Sequence, residues 1–496
     1  MSTTKAKREL KTLPTRIRLG HSMKFFLSGV WQNRDEVIEV RNPFDGSVID
    51  SVPEATAEDV DSALATAAHG AKTMAAMTGY ERFELLQRAA QLIRERAEDL
   101  SKTISTEAGK PITEARIEVG RAAQTLELSG EEAKRLGGEV LPLDGGQGVR
   151  DKFGFTLRVP CGIVVAISPF NFPLNLVCHK VGPALAAGNA VILKPASDTP
   201  LSALKLVEVL LDAGMPPMAL SCVTGGGGTI GSQLCADPRV RKITFTGSRK
   251  VGEDICRSAG LKKVTMELGS NCPLIILPDA DLDQVSDAIT LSGYANAGQV
   301  CISTQRVITH QSVHDELMTK LTPKIAAMNA GDQLRDETKV GPMIRETDAA
   351  RVEDWLQEAV KQGGSLVCGG ERSGTLVKPS LIDNAKEDMK LCREELFGPA
   401  VAVMNATGVK QAIELANASD YGLGAGIFTQ DIDAAMQFAR EVHSGNIHIN
   451  SSAMWRADLM PYGGLKGSGM GKEGPKYAIA EMTELKTVVI HSKPIQ

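Results

Sequence analysis

The sequence lacks an apolar run long enough to cross a membrane. Its longest candidates, such as residues 163–167, have the length of a β-strand, whereas a membrane-spanning helix needs about 18 apolar residues or more. A strong charge of one sign is also missing, since the formal net charge is -5. Nothing therefore attracts the whole chain to nucleic acid or to an anionic membrane, and we expect neither as a partner.

Paired cysteines are missing as well. Nine cysteines are scattered over 496 residues without a CxxC pair or a Cys/His cluster, which argues against a disulfide framework and a zinc site, and no metal is expected. Scattered thiols are typical of a reducing compartment, so we expect the cytoplasm. A chain of this length needs more than one hydrophobic core, and two or three sub-domains are expected.

Residues 1–22 differ from the rest of the chain in charge. They contain six Lys or Arg residues and a single acid, Glu9. This composition predicts a flexible basic leader, or a translation start at Met23. A targeting or docking helix is the alternative, without the apolar region of a secretory signal.

Hydrophobic periodicity divides the first half of the chain into two parts. Residues 57–141 show largely helical spacing. From Cys161 onward, short apolar runs alternate with helical stretches, which indicates a parallel sheet covered on both faces. Loops at the carboxyl ends of such strands gather at one edge, where ligands bind. The predicted strands are 162–168, 189–194, 219–223, 242–246 and 264–267, and the predicted helices are 173–187, 202–213, 229–235 and 250–258.

A second alternating segment follows and predicts a second α/β domain. Two further runs, 153–158 and 487–491, look like edge strands without a partner in their own domain. Because such ribbons often pair across subunits, a homodimer or homotetramer is expected. The strands predicted for the second domain are 273–277, 305–309, 400–404, 425–429 and 446–449.

Three residues near strand ends have the chemistry to act on a carbonyl group. Cys301, after a glycine-containing turn, could supply a thiolate nucleophile, with a packed core cysteine as the alternative. Glu267 ends a predicted strand, where burial would raise its pKa and make it a general base, unless it is a surface glutamate. Asn171 offers a neutral N–H donor suited to an oxyanion, or is only a turn-forming asparagine.

Glycine-rich and lysine-containing turns follow other strands of the first domain. Residues 223–231 lead into a helix whose backbone amides suit a pyrophosphate, although the spacing departs from the usual dinucleotide fingerprint and a flexible turn is the alternative. Residues 245–248 repeat this arrangement, with Ser248 able to cap a helix or contact phosphate. Lys194 could contact an adenosine ribose or be merely solvated, and Ser197 would not repel a 2′-phosphate as an acid would.

Taken together, these segments closely resemble the aldehyde dehydrogenase superfamily, from about residue 23 to the C-terminus. The order and separation of Glu267 and Cys301 also resemble those of the family. The motifs that carry the resemblance are SPFNFP at 168–173, KPAS at 194–197, FTGS at 245–248, MELG at 266–269, GQVC at 298–301, EELFGP at 394–399 and PYGGLKGSG at 461–469.

The resemblance implies an α/β fold with three parts: a modified Rossmann-type dinucleotide-binding domain, a second α/β domain that carries the catalytic cysteine, and a small β oligomerisation ribbon. After the leader at 1–22, the implied boundaries are 23–150 with 161–268 for the cofactor-binding domain, 269–470 for the catalytic domain, and 151–160 with 471–496 for the ribbon.

The resemblance also implies a role for each motif residue. Cys301 would be the nucleophile, Glu267 the base that activates the deacylating water, and Asn171 an oxyanion donor together with the Cys301 backbone amide. Lys180 matches a family lysine assigned to proton relay or cofactor placement. The implied cofactor contacts are Ser168, Pro169, Phe170, Lys194, Ser197, Gly227, Gly231, Phe245, Ser248, Leu268, Glu395, which would hold the nicotinamide ribose, and Phe397, which would pack beside the ring.

By the same resemblance, the expected function is NAD(P)-dependent oxidation of an aldehyde to its carboxylic acid through a thiohemiacetal and a thioester on Cys301. Family members that pass the acyl group to coenzyme A lack the glutamate found here at Glu267, so its presence favours hydrolysis. Ser197 stands where many strictly NAD-preferring members have glutamate, which leaves NAD and NADP open as cofactors. A cysteine thioesterase without a redox step and a non-catalytic structural member of the fold are the alternatives.

Residues 450–458 resemble the branch that acts on lactaldehyde, phosphonoacetaldehyde and other small polar aldehydes, so a hydroxylated or anionic substrate is expected. Arg456 could bind a substrate anion through a bidentate contact, unless it forms a structural ion pair with Asp458 or another acid. Arg121 could be a second anion contact, with a solvated helix arginine as the alternative. Aromatic residues make up only 4% of the chain, which gives little sign of a wide apolar tunnel.

Overall fold

The structure is a computed structural model that describes residues 23–492. The predictions for the basic leader fall on residues 1–22, which lie outside the described residues, as do residues 493–496. Two large sheets contain most of the strands, and helices alternate with strands along the chain. This arrangement confirms the predicted α/β class.

The first sheet has eight strands, of which the five central ones are parallel. Nearly every residue of these five strands is buried, so both faces of the sheet are covered, as continuous apolar runs predict. Antiparallel strands complete the two edges. In spatial order the strands are Val30–Gln32, Phe25–Leu27, Leu220–Cys222, Ala190–Lys194, Ile163–Ile167, Lys242–Thr246, Lys263–Glu267 and Gly469–Met470.

Helices of the first half pack on this sheet and on one another. The first two begin with capping boxes, in which Thr56 and Thr78 each accept a hydrogen bond from the backbone three residues on and the acid there bonds back. The helices are Ala57–Ala76, Gly79–Glu95, Ala97–Ala108, Ile112–Ala133, Asn175–Ala186, Leu201–Asp212, Ser232–Ala236 and Arg249–Ala259, with one π turn at Gly227–Gly231.

One helical prediction was too long. The spacing over residues 57–141 predicted helix as far as Leu141, but the last of these helices ends at Ala133, and Val140–Leu141 is a strand. The reason is the close approach of backbones at Gly138, where a Cβ would lie 1.7 Å from the carbonyl oxygen of Thr156. Because Gly138 has no side chain, the chain can pass close to the strand Lys152–Pro160. Glycine is also a signal that a helix has ended.

The second sheet has seven strands around its own hydrophobic cluster. Six strands are parallel, and Ser365–Cys368 runs antiparallel at one edge. In spatial order they are Ser365–Cys368, Ser380–Asp383, Ala400–Ala406, Thr304–His310, Cys272–Ile276, Gly424–Phe428 and Asn446–Ile449. The helices of this part are Leu282–Tyr294, His314–Ala326, Glu346–Lys361, Lys390–Arg393, Val409–Asn417 and Ile432–Glu441.

The two edge strands predicted to lack a partner in their own domain pair with each other. Thr483–His491 runs antiparallel to Lys152–Pro160 over nine residues, and Val140–Leu141 adds a third strand. Neither strand joins one of the two large sheets, and pairing between segments more than 300 residues apart leaves no local signal in the sequence. We call this three-stranded sheet the ribbon.

Smaller elements complete the described part of the chain. Among residues 23–492, no helix combines the length and the apolar character needed to cross a membrane. The remaining elements are the strand pair Val37–Arg41 and Val48–Pro53, the strand pair Arg372–Ser373 and Leu376–Val377, the helix Pro475–Glu481, and 3-10 turns at Leu143–Gly145, Pro217–Ala219, Ala295–Gly298 and Lys466–Ser468.

Candidate active site

The three residues predicted for carbonyl chemistry lie close together at a junction between elements of the two sheets, since Asn171 bonds to the loop of Cys301 and Glu267 lies near enough to affect its thiol. Asn171 and Glu267 come at the carboxyl ends of two strands of the first sheet, and Cys301 precedes Thr304–His310 of the second sheet. Cys301 is partly exposed, so it is not enclosed in a core. A small hydrophobic cluster surrounds this junction: Cys272, Val300, Ile302, Leu423, Ala453 and Tyr462, with Phe172, Cys301 and Met454 packed against it.

A strained turn precedes the nucleophile. Asn296, Ala297 and Gly298 have left-handed backbone, with φ of 48°, 56° and 69°, a conformation that is costly for the two non-glycine residues. At Gly298 a Cβ would lie 2.1 Å from the Gly398 carbonyl oxygen, so a side chain has no room. The partly buried Glu114 carboxylate accepts a hydrogen bond from the Asn296 backbone N–H at 2.9 Å and holds the turn in place.

The Asn171 side chain is tied to the loop that carries the nucleophile. Its Nδ2 donates a hydrogen bond to the Gln299 carbonyl at 2.8 Å, and the Asn296 amide donates to the Asn171 carbonyl at 3.3 Å. A side-chain amide nitrogen has two hydrogens. One N–H of Asn171 therefore remains for an oxyanion formed next to this loop.

The Cys301 thiol contacts a tyrosine. Its Sγ lies 3.2 Å from the Tyr462 hydroxyl. Burial raises the pKa of Cys301 to about 12, and the hydrogen bond from Tyr462 acts in the opposite direction. The thiolate that a carbonyl attack requires thus depends on groups that stabilise the sulfur anion.

The Glu267 carboxyl group is buried without a hydrogen bond. Neither of its oxygens has a partner, and Gly463 lies so close that a Cβ there would come 2.8 Å from Oε1. Burial raises the pKa of Glu267 well above its usual range, the charge of Glu473 raises it further, and Arg456 and Lys180 oppose the shift. An unpaired buried carboxyl with a raised pKa has the properties of a general acid or base.

A chain of buried charges extends from Lys180. Its ammonium group donates to the Thr246 hydroxyl at 2.6 Å and to Glu473 at 3.0 Å. Glu473 accepts a second hydrogen bond from Arg456 Nη2 at 3.1 Å. Burial by itself would raise the pKa of Glu473, but Lys180 and Arg456 lower it to about 2. Glu473 is therefore ionised and pairs with two cations.

The two arginines predicted to contact an anion occupy different surroundings. Arg456 forms the ion pair with Glu473 and lies over the Tyr462 ring, 3.8 Å from its centre. Its Nε is buried without a partner. Arg121 donates two hydrogen bonds to Asp458, at 3.1 and 2.7 Å. The ion-pair alternative for Arg456 is thus realised with Glu473 rather than Asp458, and Arg121 is paired rather than solvated.

An open glycine turn lies beside Lys194. A Cβ at Gly227 or Gly228 would meet no atom within 4 Å, and the Lys194 side chain runs past Gly231, with its Cδ 3.7 Å from where a Cβ would be. Burial lowers the pKa of Lys194 to about 8. The Ser197 hydroxyl donates to the Gly225 carbonyl at 3.1 Å. These groups line a region with space for a ligand.

Other predicted cofactor residues lie at or just after the carboxyl ends of strands in the first sheet. Ser168 Oγ is buried without a hydrogen-bond partner, and Ser248 begins the helix Arg249–Ala259 without a side-chain cap bond. Both hydroxyls are thus available to a ligand. Phe245 is buried with its ring against Gly247. The remaining residues of this set are Pro169, and Leu268, which packs against Gly252.

Glu395 and Phe397 lie in the loop between the helix Lys390–Arg393 and the strand Ala400–Ala406 of the second sheet. Glu395 accepts a hydrogen bond from the Ser270 backbone at 2.8 Å, and burial raises its pKa to about 7. Phe397 packs edge-on against Phe170, with ring centres 5.9 Å apart. The unpartnered serine hydroxyl, the open glycine turn and the carboxyl group across the cleft fit a bound dinucleotide.

Sequence reasoning assigned no role to two residues that the structure brings to the site. Tyr462 and Glu473 both come from the irregular C-terminal segment after Asn446–Ile449. Tyr462 lies within a motif quoted for the resemblance, but no local pattern places its hydroxyl at Cys301. The buried ion pairs of Glu473 join segments from both halves of the chain, which periodicity does not detect.

Comparison with known proteins identifies the family. The family model described as "Aldehyde dehydrogenase family" matches residues 31–488. The chain belongs to the aldehyde dehydrogenase family. This membership confirms the predicted fold class, the reaction class and the use of NAD or NADP, since similar solved structures contain NADP.

Individual relatives of this aldehyde dehydrogenase are similar over almost their whole length. It is 46% identical over 466 residues to the 3-sulfolactaldehyde dehydrogenase of Priestia megaterium, covering 94% of this chain and 97% of that protein. It is 37% identical over 472 residues to the lactaldehyde dehydrogenase of Methanococcus aeolicus, covering 94% and 100%.

Among solved structures, aldehyde dehydrogenase 21 from Physcomitrella patens, in complex with the reaction product succinate, has a TM-score of 0.93 at 38% identity, covering 95% of this chain and 98% of that one. The glyceraldehyde-3-phosphate dehydrogenase of Methanocaldococcus jannaschii, complexed with NADP, has a TM-score of 0.90 at 37% identity, covering 93% and 100%.

Proposed function

We propose that this enzyme oxidises a small, hydroxylated and anionic aldehyde to its carboxylic acid, with Cys301 as nucleophile and NADP or NAD as hydride acceptor. The observation that carries the proposal is the convergence of the Cys301 thiol, the Asn171 amide and an unpaired Glu267 at one junction. The names of relatives that act on 3-sulfolactaldehyde and lactaldehyde support the substrate class.

The first half-reaction is a problem of stabilising negative charge. Attack by the Cys301 thiolate on the aldehyde carbon forms a thiohemiacetal oxyanion, to which the free N–H of Asn171 donates, together with the Cys301 backbone amide. One preorganised donor of this kind contributes roughly 3 kcal/mol, on the order of a hundredfold in rate. A nicotinamide dinucleotide held in the cleft would supply the hydride acceptor for the tetrahedral carbon, and Cys301 then keeps the acyl group as a thioester.

The second half-reaction requires a base. When ionised, Glu267 takes a proton from a water molecule, and the resulting hydroxide attacks the thioester carbon and releases the acid from Cys301. The raised pKa of Glu267 makes its carboxylate a stronger base near neutral pH than an exposed glutamate. Lys180 and Glu473 form an ion pair and act on Glu267 through their charges rather than through a hydrogen bond. We propose that Lys180 serves in proton relay or cofactor placement.

The cofactor would bind between the glycine turn beside Lys194 and the Glu395 carboxyl group. We propose that Lys194 and Ser197 contact the adenosine ribose and that the amides near Gly227 and Gly231 contact the pyrophosphate. Glu395 would hold the nicotinamide ribose. The further contacts proposed are Ser168, Pro169, Phe170, Phe245, Ser248, Leu268 and Phe397.

The substrate anion is assigned to Arg456 and, further out, Arg121. Arg456 Nε is a buried donor without a partner, and its guanidinium lies on the ring whose hydroxyl reaches Cys301. If Arg456 binds the sulfonate, phosphonate or carboxylate group of a substrate, the aldehyde carbon at its other end would point toward the sulfur of Cys301. Arg121 keeps one face toward solvent, with its side chain 28% exposed.

We also propose the domain division, the assembly and the compartment. The cofactor-binding domain would be 23–150 with 161–268, the catalytic domain 269–470, and the oligomerisation ribbon 151–160 with 471–496. Exposed apolar side chains on the ribbon support a homodimer or homotetramer; they are Phe153, Leu157, Leu485, Val489 and Ile490. Nine free cysteines support a reducing compartment such as the cytoplasm.

A rate panel tests the substrate proposal. Initial rates with each cofactor are measured for 3-sulfolactaldehyde and glyceraldehyde 3-phosphate against neutral lactaldehyde, in the wild type and in Arg456→Met. Loss of a charge-assisted contact is expected to lower the ratio of anionic to neutral kcat/KM by roughly 10- to 100-fold, and the ratio cancels any loss common to both substrates. Arg257→Met, at an exposed arginine, is the matched control. An unchanged ratio would make Arg456 only a structural partner of Glu473.

A further inference from the structure

Tyr462 is held with its hydroxyl against the reacting sulfur. Its side chain is buried, and its backbone exchanges two hydrogen bonds with Glu473, at 3.2 and 2.7 Å. The hydroxyl lies 3.2 Å from Cys301 Sγ. Among residues 23–492, this hydroxyl is the only group that forms a hydrogen bond with that sulfur. The phenol is therefore positioned by the same segment that supplies the buried carboxylate of the charge chain.

The direction of this hydrogen bond follows from the chemistry of the two groups. A thiolate has no hydrogen and can only accept, whereas a phenol can donate. Burial raises the pKa of Tyr462 well above its usual range, so the phenol keeps its proton while the sulfur is ionised. The Arg456 guanidinium lies 3.8 Å from the ring centre, and a cation over the ring makes the O–H a better donor.

We propose that Tyr462 is a catalytic residue that donates a hydrogen bond to the Cys301 thiolate and keeps it available for attack on the aldehyde. The inference rests on the proposed role of Cys301 as nucleophile. No proton is transferred to or from the phenol, and deacylation does not require it. Removing the hydroxyl should therefore slow the formation of the thioester more than its hydrolysis.

The test compares Tyr462→Phe with the wild type without cofactor or aldehyde. Alkylation of Cys301 by iodoacetamide is followed from pH 6 to 11 by mass spectrometry of the peptide that contains it. Because the phenylalanine ring remains under Arg456, only the hydroxyl is lost. We expect the alkylation rate to fall about tenfold or more at every pH in this range, because a smaller fraction of the sulfur is ionised without the hydroxyl.

A second readout separates acylation from hydrolysis. Single-turnover formation of reduced nicotinamide should slow in Tyr462→Phe by a similar factor, whereas decay of the thioester should change less than about twofold. Tyr80→Phe, on the exposed face of Gly79–Glu95, is the matched control and should match the wild type in both assays.

A third variant keeps the proposal testable if the Tyr462→Phe protein folds poorly. With 3-fluorotyrosine at position 462, the more acidic phenol should donate more strongly and raise the alkylation rate over the same pH range. An alkylation profile unchanged in both variants would overturn the role of Tyr462 while leaving Cys301 as the nucleophile. If Cys301→Ala retains aldehyde oxidation, the proposed function fails instead, whatever the alkylation profiles show.

Discussion

Among residues 23–492, two clusters of buried and partly buried charge differ in how their charges are satisfied. We call the first the anchor cluster and the second the reactive cluster. The anchor cluster consists of the buried Glu107, Lys110 and Glu118 with the partly buried Glu114, and the reactive cluster consists of Lys180, Glu267, Arg456 and Glu473.

In the anchor cluster the carboxylates hold backbone N–H groups. Glu107 accepts from two N–H groups at the start of Leu201–Asp212, at 2.8 and 2.9 Å. Glu118 does the same at the start of Asn175–Ala186, at 3.0 and 3.1 Å, and forms an ion pair with Lys110. Carboxylates at helix N-termini are favourable partners for those groups. This cluster fixes where helices of the first domain begin.

In the reactive cluster, by contrast, some charges are left unsatisfied. Glu267 has no hydrogen bond and Arg456 Nε has none, although both are buried. A buried polar group without a partner is costly, and natural proteins tolerate such groups mainly at functional sites. The difference teaches that burial alone does not identify reactive residues, since the buried acids of the anchor cluster have hydrogen-bond partners and the buried Glu267 has none.

The largest expected effect is on activity, at the nucleophile beside the reactive cluster. Cys301→Ala should lower kcat/KM by at least roughly 10⁴-fold, equivalent to about 5 kcal/mol in the activation barrier. Because the thiol makes one hydrogen bond to Tyr462 and is partly exposed, the melting temperature should change by less than about 3 °C. Steady-state kinetics and calorimetry on one preparation measure both. Retained oxidation would refute the nucleophile assignment.

Substitution in the anchor cluster should lower the stability of the fold, whereas substitution of Cys301 should lower activity. Glu118→Gln leaves Lys110 buried without its counter-charge, which should lower the free energy of unfolding by about 3–5 kcal/mol. Urea unfolding measures the loss, and the double variant Lys110→Met with Glu118→Leu should recover part of it. A single variant as stable as the wild type would mean that this ion pair does not support the fold.

A pH experiment tests the hydrogen bond that joins Glu114 of the anchor cluster to the nucleophile's turn. Burial raises the pKa of Glu114 to about 7, so it is protonated below that pH and ionised above it. Only the ionised form gives the charge-assisted hydrogen bond to Asn296, and Gln imitates the protonated form. The ratio of wild-type to Glu114→Gln kcat should approach one at pH 6 and rise to about fivefold at pH 8.5.

A ratio that does not depend on pH would contradict this account of Glu114. Glu84→Gln, at a glutamate on Gly79–Glu95 outside both clusters, serves as the control for a general effect of removing a carboxylate. Its ratio to the wild type should stay near one throughout.

The smallest expected effect lies outside both clusters, at Ser197. A carboxylate introduced by Ser197→Glu would face the 2′-phosphate of NADP across solvent, where a like charge costs on the order of 1 kcal/mol. The kcat/KM for NADP should fall about fivefold while that for NAD stays within about twofold. Equal changes for both cofactors would show that Ser197 does not face the 2′ position.

The difference between the two clusters also explains how much the sequence could predict. Strands 242–246 and 446–449 were predicted with the bounds they have, because short apolar runs between glycine or charged residues are local signals. Cys301, Glu267 and Asn171 were found from motifs at strand ends. Their convergence at one junction could be inferred only through the family resemblance, since nothing local specifies it.

What the sequence could not predict depends on pairing between distant segments. The ribbon joins Lys152–Pro160 to Thr483–His491, and Tyr462 reaches a sulfur 161 residues away. Neither contact has a periodic or spacing signal. The satisfaction of a buried charge, which separates the two clusters, is likewise a property of the folded chain alone.

The most direct test of the central claim is a burst experiment on Glu267→Gln. Rapid mixing with aldehyde and NAD(P) should produce about one reduced nicotinamide per active site, followed by turnover slowed roughly 10²- to 10⁴-fold, while mass spectrometry finds the acyl group on the Cys301 peptide. Continued turnover at the wild-type rate, or a burst with no acyl group on Cys301, would contradict the account.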